Sequence, residues 1–251
     1  MLIRYPCTGL VNEPQMPDIG IGKVIDWYNK AIPIIRDAGF NGLLIISNGF
    51  LSAEQWGEEK AKMQDVEGVV MDIHQYAVYD EALLSLNHTA KVDYACNGWS
   101  EQADDWADQA AGFGPSMYGE WSYADTECAL YQNGVAVGSR WNGTYDKSDP
   151  MCPLEDKSKC DCTDAISDPK DMSEEYKAWL RTYFYAQMDS FSNGWGWFHW
   201  TWKSEEYGVA PSWTYKDGMA AGIVPKTIQT VTWDCTMDIP DYASQGLSEA
   251  Y

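Results

Sequence analysis

The sequence predicts an α/β fold in which short parallel strands alternate with crossover helices. Brief apolar segments recur along the chain and end in polar or aromatic residues, helical periodicity fills the stretches between them, and the apolar fraction is that of an ordinary globular chain. Four such segments are Cys7 to Val11, Gly42 to Ser47, Val69 to Ile73 and Met117 to Gly119. A fifth, Gly194 to Trp202, is richly aromatic.

Between the first two strands, Val24, Trp27, Tyr28, Ala31, Ile34, Ile35 and Ala38 recur at helical spacing, and Gly39 supplies the stop. Asp80 to Ala111 reads as helix in two pieces, with Asp104, Asp105 and Asp108 on a solvated face rather than at a metal, because no accompanying ligand spacing is present. From about 131 to 171 the chain turns rich in Gly, Asp, Pro, Ser and Cys without periodicity, a long excursion rather than a second domain. A helix follows from about Ser173 to Ser190, with Ser173 or Asp171 as its cap. The tail beyond Val224 shows no clear helix, and residues 1–251 read as one domain.

Seventeen basic and thirty-eight acidic side chains give a net charge of -21, which repels nucleic acid and anionic lipid but leaves a neutral polymer unaffected. No apolar run reaches membrane-spanning length. Seven cysteines and the sequons Asn87-His88-Thr89 and Asn142-Gly143-Thr144 fit an extracellular or cell-wall setting, although Met1 to Pro14 lacks the pattern of a signal peptide. Thirteen tryptophans and sixteen tyrosines can fill a core or stack on sugar rings, and for each residue taken alone the core is preferred.

Parallel strands of barrel enzymes present their chemistry at their C-terminal ends, which open on one face. Here those ends read Asn12-Glu13-Pro14, Asp72-Ile73-His74-Gln75-Tyr76, Gly119-Glu120-Trp121-Ser122 and Trp200-Thr201-Trp202-Lys203. Singly, each is commonplace, and a lone glutamate in so acidic a chain is usually surface. Taken together, in this order and after apolar strands, they resemble glycoside hydrolase family five, most closely its fungal-type exo-β-1,3-glucanase branch. The resemblance covers nearly the whole chain from Thr8 and includes the aromatic phrase from Gly194 to Glu205.

That resemblance implies a (β/α)8 TIM-barrel type of fold, incomplete here, with about strands four to eight and the N-terminal half of the barrel missing as a partner. It implies Glu13 as catalytic acid/base and Glu120 as nucleophile of a retaining hydrolase acting on a β-glucan, with no cofactor and no metal. Such a mechanism needs two carboxyl groups about 5 Å apart, one protonated and one ionised, and neighbouring carboxyls separate in pKa because ionising the first makes ionising the second costlier. By the same resemblance Asn12 bonds the sugar 2-hydroxyl, while His74 and Tyr76 share one face of their strand, one contacting sugar and the other bonded to the nucleophile. Along the aromatic strand Phe198, Trp200 and Trp202 share one face and Trp197, His199 and Thr201 the other; Trp200 is the chosen sugar platform. Trp121 is either a subsite wall or core. A catalytically incomplete fragment or a glucan-binding domain is the alternative, as are other β-glucans, β-mannan or glucosylceramide as substrates.

Cys128, Cys152, Cys160 and Cys162 show no two-residue gap of the zinc-knuckle kind, so disulfides are expected. The family pattern implies Cys96 with Cys235, and Cys128 with Cys152 or Cys160. Cys7, inside a strand, is expected to be a buried free thiol.

Overall fold

The computed structural model describes residues 6–146, 148–204 and 210–249. Four strands, β1 (Cys7–Gly9), β2 (Leu43–Ser47), β3 (Val69–Gln75) and β4 (Ser116–Trp121), form one sheet in the order β1-β2-β3-β4. β1 pairs in parallel with β2, Thr8 opposite Leu44, and β2 pairs in parallel with β3, Ile46 opposite Met71. The Met71 amide donates to the Pro115 carbonyl just ahead of β4. Helices α1 (Met16–Ile19), α2 (Ile21–Asp37) and α3 (Ala53–Glu59) precede β3, and α4 (Glu81–Leu84) and α5 (His88–Ala107) lie between β3 and β4. After β4 come α6 (Thr163–Ile166), α7 (Glu174–Phe191) and α8 (Tyr215–Ala220). Parallel strands joined by helical crossovers make this an α/β chain of the barrel type, with fewer strands among the described residues than a closed eight-stranded barrel needs.

The chain falls into two compact units, the first comprising residues up to His74, Glu101–Gly119 and Phe191–Trp197, the second Gln75–Ser100, Glu120–Ser190 and Phe198 onward. In the first, alternation along β2 and β3 buries Leu44, Ile46, Met71 and Ile73 with Trp56, Trp106, Tyr118 and Phe191. α2 is shifted from the expected stripe: it buries Val24, Ile25, Tyr28 and Ile32 and leaves Trp27 and Ile34 exposed. At about 100° per residue, Ile25 and Ile32 share a direction roughly opposite to that of Trp27 and Ile34, so helical spacing alone admitted either face. Gly39 ends the segment with φ 91. α3 was not foreseen, although Ser52 and Gln55 form a reciprocal capping box at its start.

The expected fifth strand is reduced to one bridge, Tyr118 with Trp197, together with amides of Trp195 and Tyr118 bonded to carbonyls of Ser116 and Gly196. Its Phe198, Trp200 and Trp202 are exposed while Trp197 and His199 are less so, as alternation requires. Glu205, at the end of the aromatic phrase, lies outside the described residues.

In the second unit the excursion is stapled rather than periodic. Cys96 pairs with Cys235, as expected, but Cys128 pairs with Cys162 and Cys152 with Cys160, which corrects the expected partner of Cys128. The short turn Lys157–Lys159 returns Cys160 to Cys152, and this leaves Cys162 for Cys128. Buried Glu127 accepts from Arg140 Nε at 3.1 Å and from Asn133 Nδ2 at 2.5 Å, while Trp141 is fully buried and donates to the Asp161 carbonyl. Cys7 is a free thiol but exposed, because β1 is a short terminal strand of the sheet with partners on one side. Ser173 caps α7 through the Tyr176 amide, and Asp104, Asp105 and Asp108 are solvent-exposed.

The start of α5 holds a buried polar cluster. His88 donates from Nδ1 to the Ser248 carbonyl at 2.7 Å and packs on Trp179 with centroids 4.2 Å apart. Lys91 Nζ bonds the Asp125 carbonyl at 2.6 Å and lies over Trp141, and Tyr176 donates to the Asp125 carboxylate at 3.0 Å. Burial pushes the Lys91 ammonium down to about 8 and the His88 imidazole down from 6.5 to about 4, with Asp125 opposing both shifts. The folded chain thus keeps His88 neutral where the unfolded chain takes up a proton, so His88 costs nothing above 6.5 and costs stability as pH falls through 6.5 toward about 4. At about 1.4 kcal/mol per pKa unit the loss is roughly 3 kcal/mol. Urea melts at about pH 7 and about pH 4 should show the drop, and His88→Gln should shrink it.

Candidate active site

β1 ends in a turn that sets Glu13 at φ 42, a left-handed conformation unusual for a non-glycine residue and worth about 1 kcal/mol or more of local strain. Pro14, buried behind it, and Met16 at the start of α1 hold the turn. Asn12 precedes it and is exposed. In the first unit, Glu13 Oε1 lies 2.6 Å from His74 Nδ1, and His74 Nε2 lies 3.2 Å from Asp72 Oδ2. The His74 side chain is 3% exposed, that of Glu13 34%.

His74 lies within β3, and Tyr76 directly follows its last residue, Gln75. In the second unit the Tyr76 hydroxyl donates to Glu120 Oε2 at 2.8 Å, and its ring packs on Trp213 and Tyr79. A hydroxyl donating to a carboxylate favours its ionised form. Glu120 is half-buried at the end of β4 and is followed by Trp121, which is 0% exposed and packs on Phe184 and His199. Trp121 is therefore core, not a subsite wall. His199 is also structural: burial pushes its imidazole down to about 3, which keeps it neutral. Trp200 is 50% exposed, its amide donates to the Trp121 carbonyl at 2.8 Å, and its peptide bond to Thr201 is cis.

The structure thus joins Glu13 to His74 within one unit and Tyr76 to Glu120 within the other, and leaves Asn12 and Trp200 at the surface. Sequence reasoning gave no role to Asp72, although its position two residues before His74 placed it on the same strand face. Trp213, more than a hundred residues from Tyr76, carried no such signal. A cavity of about 670 Å³ in the second unit, lined among the described residues by Lys170, Lys177, Lys203 and Lys216, contains none of the expected site residues.

Parallel strands with helical crossovers define an α/β protein of the (β/α)8-barrel type, present here in part. Curated proteins similar to this chain include several glucan 1,3-beta-glucosidases. Glucan 1,3-beta-glucosidase D of Emericella nidulans is 37% identical over 239 residues, 94% of this chain and 28% of that protein. Probable glucan 1,3-beta-glucosidase D of Aspergillus clavatus is 36% identical over 239 residues with the same coverage, and that of Aspergillus flavus is 37% identical over 237. The chain thus spans 28% of the length of these relatives. No family model matches it. Among solved structures it is similar to one described as "Crystal structure of AoRut", with TM-score 0.45 and 13% identity over 82% of this chain and 43% of that one.

The two tryptophans that flank this region differ in role, and truncation should separate them. Trp121→Ala should cost about 3–5 kcal/mol as a core deletion, whereas Trp200→Ala should stay within about 0.5 kcal/mol as a surface change; equilibrium unfolding of both variants measures the difference.

Proposed function

We infer that the chain is the C-terminal catalytic part of a retaining β-glucan hydrolase acting on β-1,3-glucan, in an extracellular or cell-wall setting. The observation that carries this reading is the Tyr76 hydroxyl donating to Glu120 Oε2 at 2.8 Å, with His74 Nδ1 2.6 Å from Glu13 Oε1, in a chain whose homologues are named glucan 1,3-beta-glucosidases. Three disulfides support the setting, and among the described residues no helix is long and apolar enough to cross a membrane.

In this reading Glu120 attacks the anomeric carbon while Glu13 gives its proton to the departing glycosidic oxygen, so one carbon–oxygen bond forms as the other breaks. Water then attacks the glucosyl-enzyme: its oxygen bonds the anomeric carbon, its proton passes to Glu13, and the bond to Glu120 breaks, releasing Glu120 as a carboxylate. Tyr76 holds Glu120 ionised and aimed. Asn12 offers a donor for the sugar 2-hydroxyl, and the exposed face of Trp200 offers a platform for the sugar ring. A non-catalytic glucan-binding role is the second reading, favoured by a four-stranded sheet where a barrel enzyme has eight strands.

Laminarin hydrolysis by the chain, alone and co-expressed with the missing N-terminal half, separates the two. Glu13→Gln should lower kcat by about 10²–10⁴. Glu120→Ala should abolish turnover, with azide restoring a glucosyl azide of inverted configuration on an activated β-glucoside. Full hydrolysis by Glu120→Ala would refute the catalytic assignment; laminarin binding without hydrolysis in both preparations would support the second reading.

A further inference from the structure

Asp72 has no part in the chemistry above, yet the strand beside it leaves room for its carboxylate. A side chain added at Gly119 would place its Cβ 2.0 Å from Asp72 Oδ1 and 2.6 Å from Cγ, so β4 can run next to β3 with Asp72 in place only because residue 119 is glycine. Room is kept on one side of Asp72, and on the other its Oδ2 meets His74 Nε2 at 3.2 Å. The opposite ring nitrogen, Nδ1, meets Glu13 Oε1 at 2.6 Å. The imidazole therefore lies between two carboxyl groups, one behind it in the strand and one in the turn after β1.

Proton counting constrains this arrangement. An ionised carboxylate only accepts, so the hydrogen between His74 and Asp72 belongs to Nε2. A neutral imidazole carries a single N–H; with that hydrogen on Nε2, Nδ1 presents a lone pair toward Glu13. A separation of 2.6 Å then suits a protonated Glu13 donating to Nδ1, or, after one proton moves, an imidazolium donating from Nδ1 to an ionised Glu13. The contact to Asp72 is the same in both states.

We propose that Asp72 is a positioning residue that fixes His74 with hydrogen on Nε2, so that Nδ1 and Glu13 share one proton across their hydrogen bond. Resting on the reading of Glu13 as acid/base, this makes His74 a reservoir for the proton that Glu13 gives to the leaving oxygen and recovers from water. The glycine at 119 belongs to the same device, because a methyl there pushes the Asp72 carboxylate off the ring.

Nitrogen NMR of the chain labelled with ¹⁵N-histidine tests this, with the His74 signals assigned by His74→Gln. Native His74 should carry hydrogen on Nε2. Asp72→Ala and, independently, Gly119→Ala should each lose that Nε2–H signal and gain the Nδ1–H tautomer, with thermal melts confirming a folded chain. A native His74 protonated on Nδ1 alone, or a folded Asp72→Ala or Gly119→Ala chain with an unchanged Nε2–H signal, overturns the proposal. If Asp72→Ala does not fold, the native spectrum and Gly119→Ala still decide. These spectra need no turnover, so failure here is distinct from failure of the hydrolase reading, which is decided by laminarin hydrolysis in Glu120→Ala.

Discussion

Where β4 runs beside β3, the Asp72 carboxylate lies over the bare α-carbon of Gly119, and nothing larger than hydrogen fits between them. This close approach fixes the polar chemistry at the end of β3. With Asp72 seated, His74 two residues on has one nitrogen committed, and its other nitrogen faces the turn that carries Glu13. Backbone ladder bonds hold the strands in register, so the positions of these side chains follow from the sheet rather than from flexible loops. Glu13 itself departs from relaxed backbone geometry, and a conformation of that cost persists only where surrounding structure enforces it, here with buried Pro14 and Met16.

Aromatic residues divide into two populations with different physical roles. Trp56, Trp99, Trp106, Trp121, Trp141 and Trp179 are fully buried, and each of these large rings removes much apolar area from water. Phe198, Trp200 and Trp202 stay at the surface on the side of their segment opposite His199. A ring held in the open by its backbone keeps an apolar face in contact with solvent.

Much of this was legible because it depends on period and local chemistry. Glycine stopped the segment after α2, and Ser173 capped α7. What stayed hidden depends on long-range packing. Which stripe of α2 is buried, which cysteine meets Cys128, and whether the segment after Gly194 forms a ladder or a single bridge are settled by neighbours far away in sequence. The buried cluster of His88, Lys91 and Asp125 was equally invisible, since nothing in a helix of mixed polarity marks which charge will lose its water.

The short loop closed by Cys152 and Cys160 carries exposed Lys157 and Lys159 at its tip. A trypsin-like protease cutting there would sever the backbone but release nothing, because the sulfur–sulfur bond spans the break and Cys128–Cys162 encloses it again. On a non-reducing gel such a nicked chain would run as one piece, and only a thiol reagent would reveal the cut. A protein so built keeps its covalent continuity when an exposed turn is cut.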